Sequence, residues 1–259
     1  ARLKDDGVAD DTIVFYYGDH GGVLPRGKGY AYESGLNVPL VVYAPEKWRH
    51  LLPLNAGRSV EGFVSFIDFG PTVLNLAGVD VPETMDGKPF LGEGVTARDL
   101  DRRDEAFGYA DRFDEKYDLV RTFRKGKYKY IRNYQPFNFD GLFNDYRYKM
   151  LAYREWHAMY QAGELNAVQS QFFEPRQAEA LYDIEKDPHE TNNLADDPKS
   201  ASVLRDLRQR LTNQVKEISD LSFLPEPAML SEALSNPVQF GRENRDRIGK
   251  LVDTANLSL

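Results

Sequence analysis

Thr12-Ile-Val-Phe-Tyr-Tyr17 runs straight into Gly18-Asp-His-Gly-Gly22, an unbroken β-branched and aromatic run ended by a glycine-flanked Asp-His pair. A continuous apolar run is the mark of a strand covered on both faces, as in a parallel sheet. The turn beyond such a strand is where open α/β sheets place ligands. Val38-Pro-Leu-Val-Val-Tyr43 repeats the pattern, with Pro39 near its start, where a missing N–H is tolerated. The polar, Gly-rich segment between the two runs must cross back over the sheet. In Ser65–Ala77, Phe66, Phe69, Val73, Leu76 and Ala77 fall at helical spacing, with Pro71 in an early turn and Gly78 as a stop. Strand, loop, strand, helix is the grammar of an α/β layer with a parallel sheet.

The pattern changes after Pro82. Ala106–Ala110, Leu119–Phe123 and Tyr128–Arg132 read as short strands, the last two joined by the hairpin turn Arg124-Lys-Gly-Lys127. Residues 142–165 read as helix, and Leu181–Ile184 as another strand. Pro198–Leu221 reads as an amphipathic helix with Leu204, Leu207, Leu211, Val215 and Ile218 on one face. Three regions are expected: an α/β layer over 1–100, an antiparallel sheet with helices over 101–224, and a helical arm over 225–259. Ala1–Gly7 reads as the last turns of a helix with a glycine stop, so the chain is expected to be a piece of a longer one.

The 259 residues include no cysteine, which excludes disulfides, thiolate metal sites and cysteine nucleophiles. It also points to a bacterial protein rather than a disulfide-bearing lysosomal one; a periplasmic or secreted location is expected. No run approaches the roughly 18 to 20 apolar residues of a membrane helix. The net charge of −8 argues against wholesale nucleic-acid coating.

Asp19 and His20 are adjacent ligand-capable side chains whose flanking glycines permit tight backbone geometry, which suits a metal site. The same pair also fits a capping carboxylate beside a satisfied loop histidine. Lys28 follows in Leu24-Pro-Arg-Gly-Lys28. A cation held near a metal makes a pocket for a tetrahedral oxyanion, because both neutralise charge on departing oxygens; a solvated loop lysine is the plain alternative. From Leu119 to Tyr134 there are six basic residues and no acidic one, interleaved with Phe123, Tyr128, Tyr130 and Tyr134. Such a hairpin suits a sulfated glycan or RNA, or simply packs its tyrosines inward with its lysines in solvent. His50, His157 and His189 read as structural or exposed.

Asp11–Gly22, Lys28 and Tyr32-Glu-Ser-Gly-Leu-Asn-Val-Pro-Leu40 together resemble the second metal-binding block of the formylglycine-dependent sulfatases, in the alkaline phosphatase superfamily. Val64–Gly78 with Asp86-Gly-Lys88, Arg112–Arg121 through Asn133, and Leu181–Ala195 resemble further blocks of that family, in the family's order. The resemblance covers about residues 1–220 and implies the C-terminal half of such an enzyme, with a partial alkaline-phosphatase-like parallel sheet followed by a smaller antiparallel subdomain. It implies Asp19 and His20 as ligands of a divalent cation, usually calcium, with magnesium or manganese possible. His20 stands where many members carry Asn. Lys28 and His20 are the implied catalytic residues, and Lys28 and Arg112 the implied substrate contacts. The Leu-Pro-Arg-Gly loop is most similar to sulfamidase relatives. The family's Cys/Ser-x-Pro/Ala-x-Arg formylglycine motif does not occur in this sequence, so the chain alone is expected to be inactive and to depend on a missing N-terminal half. The expected substrate is a sulfate ester or sulfamate of an anionic carbohydrate, with neither nucleic acid nor membrane as a partner. The alternatives are a phosphodiesterase or phosphonate hydrolase of the same superfamily, and a non-catalytic sulfated-glycan-binding piece.

Overall fold

The computed structural model describes residues 2–112 and 116–258. Its contacts divide the chain into two compact units, Ala1–Asp19 with Val38–Ala106, and His20–Asn37 with Phe107–Leu259.

In the first unit, β1 (Val14–Tyr17) and β2 (Leu40–Tyr43) form an antiparallel ribbon in which Phe15 faces Val42 and Tyr17 faces Leu40. Parallel pairing of these two runs is therefore corrected. Their apolar character reflects a ribbon with one packed face, whose opposite face also happens to carry Tyr and Val. Phe15, Leu40 and Val42 pack on the core of Phe90, Leu91 and Leu100, while Tyr16, Val41 and Tyr43 are exposed. Helix α1 (Phe69–Leu76) is entered through a 3-10 turn at Phe66–Asp68. Phe66 and Val73 face solvent, and Thr72 is buried instead. The buried Asp68 carboxylate accepts from the Ser65 and Lys88 backbone N–H groups. Thr72 donates to the Asp68 carbonyl and accepts from the Phe90 N–H. The helix ends, as expected, at Gly78 with φ +68°.

The second unit is built on a sheet ordered β3 (Glu105–Ala110), β4 (Val120–Lys125), β5 (Tyr128–Asn133), β6 (Glu179–Asp183). β5 pairs antiparallel with both β4 and β6. Strand alternation puts Phe123, Tyr130 and Leu181 on one face, against Leu207, Leu211 and Val215 of helix α4 (Ala201–Glu217) and Ile248 and Val252 of helix α5 (Arg245–Leu257). Ile218 lies past the end of α4 and is exposed. The opposite face carries Val120, Ile131, Ala180 and Tyr182, covered by Ala31 and Tyr32 from the 20–37 segment. The helix expected over 142–165 is broken into α2 (Asp145–Tyr148) and α3 (Leu151–Gln161), because Met150 adopts an extended conformation at φ −84°, ψ 137°.

Candidate active site

The 20–37 segment is a folded loop held by side chains from distant parts of its unit. Close backbone approach is what its glycines serve: a Cβ at Gly21 would meet the Ser34 carbonyl oxygen at 1.7 Å, and one at Gly27 would meet that of Gly22 at 2.0 Å. Gly21 N–H donates to the Gly35 carbonyl, and Lys28 N–H to that of Gly22. The Arg26 guanidinium donates to the Glu190 carbonyl (2.9 Å) and lies 3.9 Å over the Tyr32 ring. Tyr153 donates to the Leu24 carbonyl. Arg147, only 1% exposed, donates to the carbonyls of Lys28 (3.4 Å) and Gly29 (3.3 Å) and to the Tyr30 hydroxyl (3.0 Å). Lys28 is thus a half-buried cation on a fixed backbone.

His20 is half-buried, and its Nδ1 lies 2.6 Å from the Gly21 carbonyl. A carbonyl only accepts, so Nδ1 is the donor in this contact. Metal-ligating histidines are commonly oriented through such a bond from the other ring nitrogen, so the donor chemistry of His20 fits a metal. Asp19 is exposed and ends the first stretch of the other unit. Among the described residues no cluster of three or more His, Cys, Asp or Glu side chains is placed to hold a metal.

Behind the loop is a cavity of about 20 Å³, lined in part by Tyr30, Lys116, Asp118, Asp140 and Arg176. It has room for one water-sized molecule and none for a sugar. Burial pushes the Lys116 ammonium below its ordinary pKa. Burial acts upward on Asp118, yet the hydrogen bonds and charge of Arg176 hold its carboxyl below the usual value. Strand alternation anticipates neither these pairings nor the role of Arg147; both depend on chain segments far apart in sequence.

Most cations of the basic hairpin are ion-paired within the protein. Arg121 is paired with Asp111 and Asp220, Arg124 with Glu33, Lys127 with Asp183, and Arg132 with Glu179. Lys129, in solvent on the plain alternative, is 1% exposed between Glu33 (3.1 Å) and Glu190 (2.9 Å). These cations are engaged by the protein's own carboxylates, which removes the hairpin as an open anion-binding strip. Arg112 is exposed and paired with Glu226; the alternative partners Asp114 and Glu115 lie outside the described residues. His157 packs edge-on to Tyr148 and against Phe173.

The family described as Sulfatase matches residues 1–79, the stretch that includes Asp19, His20 and Lys28. Residues 1–79 are thus sulfatase-like in sequence. Over 232 residues it is 38% identical to an ulvan-active sulfatase of Formosa agariphila, covering 89% of this chain and 37% of that protein. It is 28% identical over 254 residues to the N-sulphoglucosamine sulphohydrolase of Homo sapiens, covering 92% and 48%. Among solved structures, BT4656 in complex with its substrate D-glucosamine-2-N,6-O-disulfate shares the fold at TM-score 0.56 and 23% identity, covering 83% of this chain and 36% of that one. The chain thus spans between about a third and a half of the length of these relatives.

Proposed function

We propose that this chain supplies the Lys28 half of a sulfatase active centre acting on a sulfated carbohydrate, as an O-sulfate ester or a sulfamate. The observation that carries the reading is the Lys28 loop, fixed by the buried Arg147 within the stretch that matches the sulfatase family. A preorganised ammonium needs no rearrangement to neutralise charge growing on a departing oxygen. In this reading Lys28 donates to a sulfate oxygen and stabilises the leaving ester oxygen. Asp19 and His20, neighbours in the chain, hold a divalent cation; calcium is the family's usual choice, and an imidazole ligand also suits magnesium less well than manganese. When bound, the cation polarises sulfate oxygens and formylglycine supplies the attacking oxygen. The contact of its Nδ1 with the Gly21 carbonyl orients the His20 ring that would serve as a ligand. Arg112, exposed and paired with Glu226, exchanges that carboxylate for a sulfate, which offers the same two-oxygen acceptor.

The test compares this chain with a longer protein carrying both the chain and a Cys/Ser-x-Pro/Ala-x-Arg motif. The chain alone hydrolyses no aryl sulfate. The longer protein hydrolyses sulfated sugars in preference to phosphate and phosphonate esters, and loses activity with a chelator or with Asp19→Ala. Lys28→Ala lowers its kcat/KM by about 10²- to 10³-fold. Turnover by the isolated chain, or a preference for phosphonate esters, overturns the proposal. Sugar binding that survives both chelator and Asp19→Ala points instead to a non-catalytic glycan-binding piece.

A further inference from the structure

The Lys28 ammonium lies 5.5 Å from the centroid of the Tyr146 ring, over its face. Tyr146 is 40% exposed, yet its position is tightly specified from below. It sits on α2, whose start is capped by the fully buried Asn144 side chain accepting from the Arg147 N–H (2.9 Å). The next residue, Arg147, is the buried guanidinium that binds the carbonyls of Lys28 and Gly29 and lies 4.2 Å over the Tyr30 ring. One side chain therefore ties the helix turn bearing Tyr146 to the loop bearing Lys28. The backbones that carry the ring and the ammonium are thus tied together.

We propose that Tyr146 is a specificity-determining residue, the aromatic wall against which the sugar ring of a sulfated pyranoside rests while its sulfate contacts Lys28. This inference rests on the sulfate-binding role of Lys28. A sulfate that accepts from Nζ carries its ester-linked carbon only a few bond lengths further, within reach of a ring whose face already lies over the same nitrogen. The C–H face of a pyranose is apolar, and an exposed tyrosine ring offers it a flat, rigid surface with a hydroxyl at the rim. Binding sites of this kind combine aromatic lining with a few placed polar groups. Inorganic sulfate engages the ammonium and has nothing to lay against the ring. A sulfated sugar uses both, so the ring converts an anion site into a sulfated-sugar site.

Binding of inorganic sulfate, a sulfated glucosamine and unsulfated glucosamine to the full chain, measured by NMR titration, separates the two contributions. The chain is expected to prefer sulfated glucosamine over sulfate by about tenfold, the order of one aromatic contact. Tyr146→Ala removes that preference, the loss falling on the sugar probe and not on sulfate, and Tyr146→Phe keeps it. Lys28→Ala weakens both sulfated probes. An intact preference in Tyr146→Ala overturns the wall. Equal loss of both probes in Tyr146→Ala, with an unchanged melting temperature, also overturns it, because the ring then acts only by supporting Lys28. Sulfate binding that is undetectable, or indifferent to Lys28→Ala, sinks the Lys28 site itself, an outcome distinct from failure of the wall.

Discussion

Lys129 shows how much a single residue's reading depends on what lies across the sheet. Alternation along β5 correctly separates it from Tyr128 and Tyr130, but it is silent on Glu33 and Glu190, which arrive from distant segments and enclose the ammonium. Removing one partner of a buried ion pair costs more than the pair contributes, because it leaves the buried Glu190 carboxylate without its ammonium, while Glu33 keeps Arg124. Lys129→Met is accordingly expected to destabilise the chain by about 3–5 kcal/mol in urea unfolding; a loss under about 1 kcal/mol means that the carboxylates are already neutral or hydrated. Glu190 gives the matching pH test. Burial, opposed by Lys129 and the Glu33 N–H, leaves its carboxyl pKa above the usual 4.5. The folded state then holds this proton more tightly than the unfolded chain. The contribution is full below the ordinary value and is lost as pH rises through the raised one. Urea midpoints measured from about pH 4 to about pH 8 should fall more steeply for the wild type than for Glu190→Gln. Parallel profiles would show that Glu190 titrates as it does in the unfolded chain.

At the scale of elements, most of the architecture is legible because period and punctuation are local. The hairpin around Gly126, the glycine stop after α1 and the apolar stripe of α4 all follow from residues within a turn or two of each other. What local pattern misses is where an element ends and which way its neighbour runs. β1 and β2 read as parallel since apolar residues occupy both faces, and only the register shows one face to be exposed. Ile218 continues the α4 stripe by count, yet the helix stops at Glu217, so Ile218 leaves the face that buries Leu211. The two positions should respond differently. Leu211→Ala opens a cavity in the core shared with α5 and is expected to cost about 2–5 kcal/mol. Ile218→Ala, exposed at the helix end, should stay within about 0.5 kcal/mol. Comparable losses at the two positions, from chemical denaturation, would mean that the helical stripe extends further than the structure places it.

For the whole molecule, the sequence motifs and the physical units cut the chain differently. The family match over residues 1–79 runs across both units, since it includes the 20–37 loop that packs on the sheet of the second. A motif records which residues serve one chemistry, whereas a compact unit records which residues bury each other, and the Asp19–His20 peptide is where these two divisions fall out of step. Each unit has its own apolar core, Phe90, Leu91 and Leu100 in the first and Tyr130, Leu181, Leu207 and Leu211 in the second. Separate cores open with separate free energies, so a cavity made in one should be felt mainly there. Phe90→Ala is expected to cost about 3–5 kcal/mol locally and to raise amide exchange across β1 and β2 while leaving β4, β5 and β6 as protected as in the wild type. Leu211→Ala should give the reverse pattern. If either variant raises exchange equally in all five strands, the two cores open as one cooperative body, and the rigidity that Arg147 gives the Lys28 loop must then draw on the stability of the entire chain.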